Sequence, residues 1–204
     1  MATASRWLFV AVLTLAPLPY GANRPLPWSL LALALGAAAL LRAGAEVSNG
    51  HPPRPPMVVG LAFACLAAVA GWAALQGMRE LLPAGWAHPL WSEAEAAGLP
   101  VQRAVALSPE RTLDNVMRFL AYLASGWLAF LFAREERGAR WLLHLLLLVF
   151  ALQAAYGLVR LFAGLEVLPG VPGGPGASDN LSGSFVNRNH AATFLGLGFL
   201  AALA

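Results

Sequence analysis

Long apolar stretches separated by short polar segments make up most of the chain. They predict helices over residues 7–22, 27–41, 57–82, 112–133 and 141–163, and the start of another at about residue 190. Because a helix rises about 1.5 Å per residue, about 20 residues cross a hydrocarbon core of about 30 Å. The last three complete stretches are long enough outright, whereas the first two are short and need their flanking residues. The pattern predicts an all-α, polytopic transmembrane helix bundle with about five complete spans and the start of a sixth.

The composition argues against a soluble domain. Hydrophobic residues make up 59% of the chain and charged residues 11%, against about 45–50% and about 25% in soluble proteins. All 13 basic residues are arginine and stand at the ends of apolar stretches rather than in one cluster, which favours membrane lipids over nucleic acid as partners. The single cysteine, Cys65, lies within an apolar stretch, and no Cys/His spacing is typical of a metal site. We therefore expect no metal and no cofactor.

Arginine density predicts how the helices are oriented, because short cytoplasmic loops accumulate Arg and Lys. The segment from Arg134 to Arg140 holds three Arg in seven residues, so we place it in the cytoplasm. The N-terminus and the Pro-rich loop from Arg42 to Arg54 then lie on the same side. The two longest loops, residues 83–111 and 164–189, are predicted to lie outside.

The last apolar stretch is still unbroken at Ala204, so we expect the chain to be part of a longer protein. On this interpretation residues 1–163 form the N-terminal transmembrane helices 1 to 5. Residues 164–204 form an outer loop and the truncated start of a further membrane domain.

A polar cluster stands directly before the sixth predicted helix, at the end of the Gly/Pro-rich residues 170–190. Asn187 or Asn189 can act as the N-cap, which leaves backbone N–H groups and the positive end of the helix dipole facing the outer membrane surface. With Arg188 beside them and His190 in the first turn, these residues are typical of an anion site that a lipid-tailed substrate can reach. The alternative is an ordinary capped helix start whose Arg extends to the membrane surface.

The predicted outer loop from Pro83 to Arg111 mixes aromatic and charged residues, among them Trp86, Trp91 and Arg103. Aromatic rings stack on the apolar faces of sugars and the Arg fork binds phosphate, so the loop suits a sugar or headgroup surface. It also suits an amphipathic segment that lies on the bilayer. Its last residues, SPERT at 108–112, predict a helix start with Ser as N-cap and Pro at the first helical position.

Four polar residues fall at or near membrane depth in the fourth and fifth predicted helices: Asp114, Arg118, Gln153 and Arg160. The first two are one helical turn apart and can pair. Ionisable residues within spans are functional candidates. Arg160, about one turn from the outer end of its helix, is expected to point towards the region of Arg188.

Two segments resemble a known family. Residues 183–195, GSFVNRNHAATFL, closely resemble the signature G-T/S-F-x-N-x-N-H-x-A of the bacterial O-antigen ligase and O-antigen polymerase membrane family. Residues 16–33, APLPYGANRPLPWSLLAL, are similar to the Pro-rich first loop of that family. The resemblance implies that the chain is the N-terminal part of a protein with ten or more spans, and that residues 164–204 contain the start of its ligase-like core.

Members of this family transfer a glycan from an undecaprenyl-diphosphate carrier to an acceptor on the periplasmic face of the bacterial inner membrane, without a metal. Ligases use a lipid A core acceptor, polymerases a growing chain, and relatives glycosylate proteins; the shared signature leaves all three open. The resemblance implies that Arg188, with Arg160 or Arg103, contacts the diphosphate, and that Asn187, Asn189 and His190 position the substrate. The His that activates the acceptor is expected downstream of this chain.

Two other classes of protein stay open from the residues alone. A transporter or flippase that moves lipid-linked glycan without bond chemistry also needs Arg at an outer lipid interface, and a non-enzymatic membrane scaffold needs only the helices. A long outer loop with His and Arg beyond the last residue would favour the transferase. Further spans with short loops would favour transport.

Overall fold

The computed structural model describes residues 2–18, 25–50, 54–163, 183–185 and 187–203. Within these ranges every regular element is helical, which confirms the predicted all-α class for the described part of the chain. The seven α-helices there are α1 (Ala2–Leu15), α2 (Pro25–Ser48), α3 (Met57–Gly77), α4 (Leu90–Ala96), α5 (Pro109–Phe132), α6 (Glu136–Ala163) and α7 (Arg188–Leu203), with a short 3-10 turn at Ala84–Trp86.

Four of these helices, α2, α3, α5 and α6, are long and apolar enough to cross a membrane. The predicted count of five spans is not confirmed, because α1 has only 14 residues. It ends at Leu15, two residues before Pro17, whose ring removes a backbone donor and restricts the chain. The second half of the Pro-rich segment, residues 19–24, lies outside the described residues.

Three predicted helix ends were wrong. The first stretch, expected to reach residue 22, already ends at Leu15, before a turn at residues 16–18. The other two ends lie near a charged residue. The stretch expected to end at residue 41 continues to Ser48, because Arg42 pairs with Glu46 one turn further along α2. The stretch expected to reach residue 82 ends at Gly77, where Met78 becomes extended and its N–H group bonds to the carbonyl oxygens of the last turn. Hydropathy alone shows neither an ion pair that continues a helix nor a turn within apolar sequence.

The described helices leave most of their apolar side chains uncovered. In the most apolar part of each of the four long helices only 6% to 22% is buried. Side chains such as Leu33 (72% exposed), Leu40 (76%) and Phe162 (85%) lie open. Exposed apolar surface on this scale is not stable in water, whereas lipid covers it. The helices therefore have the surface of membrane spans as well as their length.

The chain divides into two compact units, residues 1–51 with 127–204, and residues 52–126. In the first unit α1 packs against α2 and α6, and α6 packs against α7. The hydroxyl of Ser5 is fully buried and donates to Ala38 O of α2 at 2.7 Å. Small residues at this contact let two helix backbones approach closely, as is typical of helix pairs in membranes.

Aromatic rings join α6 to α7. The ring centroids of Phe150 and Phe194 are 4.6 Å apart, and those of Phe185 and Phe194 are 5.2 Å apart. Gly198 lies against Phe150 so closely that an added Cβ would come within 2.6 Å of the ring. This contact fixes how α7 packs against α6 in the first unit.

The second unit contains α3, α4 and the first part of α5. Residues 103–106, between α4 and α5, are bound by backbone hydrogen bonds: Glu80 N to Arg103 O (2.9 Å), His88 N to Ala104 O (3.0 Å) and Ala106 N to Gln76 O (3.0 Å). α5 begins at Pro109, which confirms the helix start predicted from SPERT.

Candidate functional site

The polar cluster predicted before the sixth helix forms the first turn of α7. Asn187 is its N-cap, because its Oδ1 accepts a hydrogen bond from Asn189 N at 2.8 Å, and this confirms one of the two predicted caps. Asn187, Arg188, Asn189 and His190 are all exposed. The structure thus presents these four predicted residues together at the N-terminal end of an apolar helix.

A buried polar cluster lies directly upstream of these exposed residues. It consists of Arg160 and Gln153 from α6 and the turn residues Gly183 and Ser184, which are buried with them. Arg160 Nη1 donates to Gly183 O at 2.9 Å. Ser184 Oγ lies 3.0 Å from Gln153 Oε1. Buried polar groups normally find such partners, because an unpaired one is costly away from water.

Ser184 also joins the turn to the end of α1, since its hydroxyl hydrogen-bonds to Pro17 O. A hydroxyl has one hydrogen, so it donates to only one of its two neighbouring oxygens at a time. Both contacts are satisfied together when the Gln153 amide is turned so that its nitrogen donates to Ser184 Oγ while Ser184 donates to Pro17 O. The contact joins two residues that lie 167 positions apart in the chain.

Three residues of α6 that lie next to the turn are spaced so that they share one side of the helix. Gln153, Gly157 and Arg160 follow at intervals of four and three residues, so they lie on one side of the helix. Gly183 has φ of 56° and would place an added Cβ 3.6 Å from Gln153 and 4.0 Å from the Gly157 backbone. The positive φ suits glycine at this point, while both distances are those of ordinary van der Waals contact.

Sequence reasoning named Gln153 and Arg160 but gave no structural role to Gly183, Ser184 or Gly157. The available signal was the pair of polar residues Gln153 and Arg160, seven positions apart on one side of the apolar part of α6, which predicts a polar partner. The identity of that partner had no local signal.

The remaining predicted cation, Arg103, belongs to the second unit. It pairs with Glu95, and both residues line a cavity of about 290 Å³ that also contains Glu80. The structure therefore gives Arg103 a carboxylate partner of its own within that unit. Asp114 and Arg118 lie one turn apart on α5, as predicted, with Asp114 exposed and Arg118 half-buried.

The chemistry available at the start of α7 is anion binding. The guanidinium of Arg188 offers a planar fork of donors, and the first turn of a helix adds unpaired N–H groups and the positive end of the dipole. Within the described residues no group of three His, Cys, Asp or Glu side chains is placed to hold a metal ion.

The fold and the exposed apolar surface define the class: in its described residues the protein is all-helical, with four helices suited to cross a membrane. Comparison of the chain with models of protein families, with curated proteins and with solved structures gave no match.

Proposed function

We propose that the full-length protein is a membrane glycan transferase of the O-antigen ligase or polymerase type, which moves a glycan from undecaprenyl diphosphate to an acceptor sugar. The observation that carries the proposal is the exposed group Asn187–His190 at the start of an apolar helix, with a buried polar cluster behind it. A lipid-tailed diphosphate fits this surface, because its charged diphosphate suits the exposed polar residues and its lipid tail suits the apolar helix. On this proposal the protein lies in the bacterial inner membrane with α7 starting at the periplasmic face.

In the proposed reaction an acceptor hydroxyl gives its proton to a general base, which the proposal takes to be the acceptor-activating His that the resemblance implies, and its oxygen forms the new bond to the anomeric carbon of the donor glycan. The bond from that carbon to the diphosphate oxygen breaks, and undecaprenyl diphosphate leaves with the electron pair. Negative charge therefore grows on the diphosphate, and a fixed cation with helix N–H groups stabilises it. Arg188 is the cation that we assign to this role, and Asn187, Asn189 and His190 position the carrier.

The first test is Arg188→Ala in the full-length protein, assayed for transfer from a purified undecaprenyl-diphosphate donor. We expect a loss of about 10²–10³-fold, as for other groups that stabilise charge in a transition state. The matched control is Arg137→Ala, because Arg137 is also an exposed arginine in the first turn of a helix, α6. Unchanged transfer by Arg188→Ala at normal expression would refute the assigned role.

The same preparation separates transfer from transport. In sealed vesicles that carry the labelled donor in one leaflet, a transferase gives a new glycan product on the acceptor. Movement of intact donor between leaflets without any product would instead identify a flippase and overturn the proposal.

A further inference from the structure

Arg188 and Arg160, two of the three arginines that the resemblance links to the diphosphate, lie in different surroundings. Arg188 is exposed in the first turn of α7, whereas the side chain of Arg160 is buried, with the residue only 4% exposed. A buried guanidinium contacts other protein groups and not a lipid carrier that arrives from the membrane. Its Nη1 donates to the carbonyl of Gly183, which belongs to the chain segment leading into α7.

The turn that Arg160 contacts is held from two helices. Gln153 and Arg160 contact it from α6, and the carbonyl of Pro17 contacts it from the end of α1. Phe185, the next residue, packs on Phe194 of α7, and Phe194 packs on Phe150 of α6. The start of α7 is therefore fixed by hydrogen bonds on one side and by stacked rings on the other.

Only two residues separate Ser184 from Asn187, so a shift of the turn moves the cap and the first turn of α7 with it. Catalytic groups must be held to within about 0.5 Å of the productive geometry, and supporting hydrogen bonds provide that precision. Loss of the Arg160 contact leaves the Gly183 carbonyl without this donor and frees the turn to move.

We infer that Arg160 is a positioning residue, which fixes the Gly183–Ser184 turn and through it the direction of Arg188 and His190, and that it does not touch substrate. The consequence for glycan transfer rests on the proposed function. The positioning itself rests only on the contacts of the buried cluster.

The first experiment measures positioning without any activity. Cys65 is replaced by Ala, His190 by Cys, and the rate of labelling with a membrane-impermeant maleimide is followed in the folded full-length protein. Arg160→Met is expected to change this rate severalfold, and Arg160→Lys, which keeps a donor, to restore part of it. Arg140→Met is the control, because Arg140 lies on the same helix and pairs with Glu136 at its exposed end. Equal rates in the Arg160 variants and the control overturn the inference.

The second experiment is a double-mutant cycle on transfer. Arg160→Met alone is expected to lower transfer by about 10²-fold, the scale of a misplacement of about 1 Å. In the Arg188→Ala background it should add little, because both changes act on the same contact with the carrier. Fully additive effects would mean that Arg160 touches the substrate itself and would overturn the inference. If the unmodified protein transfers no glycan, the proposed function fails while the labelling result still decides the positioning role.

Discussion

At the scale of single residues, Ser184 connects two parts of the first unit that are distant in the chain. Its hydroxyl reaches Pro17 at the end of α1 and Gln153 on α6, although these residues are 167 and 31 positions away in the chain. Removing the hydroxyl leaves a buried amide and a buried carbonyl without their partner. Such groups are costly because neither lipid nor packed protein replaces the lost bond.

We predict that Ser184→Ala lowers the free energy of unfolding by about 1–2 kcal/mol. The measurement is unfolding in mixed micelles titrated with SDS. Thr193→Ala is the control, because Thr193 is exposed and its hydroxyl donates to Asn189 O of its own helix. If the two variants unfold at the same SDS content, the buried cluster contributes little to stability.

At the scale of elements, the contact between α6 and α7 depends on a missing side chain. A Cβ at position 198 would come within 2.6 Å of Phe150 Cγ and 2.7 Å of its Cβ, which lie at the base of the side chain rather than at a flexible end. Gly196 lies in the same helix with nothing within 4 Å of an added Cβ. An alanine at either position changes helix propensity in the same way, but only at position 198 does it also disturb packing. Comparing the two substitutions therefore separates the two effects.

We predict that Gly198→Ala destabilises the protein by about 1–3 kcal/mol, because overpacking forces α7 away from α6. Gly196→Ala should be neutral or stabilising by up to about 1 kcal/mol, because alanine favours helix. Both are measured by the same detergent unfolding. A Gly198→Ala variant as stable as Gly196→Ala would show that α7 does not pack on Phe150 in this way.

At the scale of the whole molecule, the open question is whether α1 crosses the membrane. Its 14 residues span only about 21 Å at about 1.5 Å per residue, which is short of a hydrocarbon core of about 30 Å. It nevertheless packs against α2 and α6 in the first unit, with Ser5 and Phe9 buried. A helix packed among spans is expected to cross with help from its flanking residues and from local thinning of the bilayer.

We predict that the N-terminus and the segment around Glu135 lie on the same side of the membrane. With α1, α2, α3 and α5 all crossing, the number of crossings between those points is even. If α1 does not cross, the number is odd and the two points lie on opposite sides. Reporter fusions at the N-terminus and after Glu135, with one after Gly98 expected on the other side, decide between the two cases.

The helices and their caps could be predicted because their signals are local. Length and hydropathy identify α2, α3, α5 and α6, and side-chain chemistry within one turn predicts the caps at Asn187 and the start at Pro109. The ends of α2 and α3 were misplaced because an ion pair and a tight turn there compete with the apolar pattern. Of the residues that approach the α7 start, the sequence pointed to Arg160 but gave no signal for Ser184 or Pro17.

The sequence by itself determined the all-helical class, the membrane-suited helices and the exposed polar start of α7, because each follows from residues close together in the chain. Only the tertiary structure decided that Arg160 lies buried against Gly183, 23 residues away, and that Ser184 meets the end of α1. Those contacts depend on how α1, α6 and α7 pack. The periodicity of one helix does not specify which segment packs against it. Polar residues on one side of α6 therefore predict only that a polar partner exists.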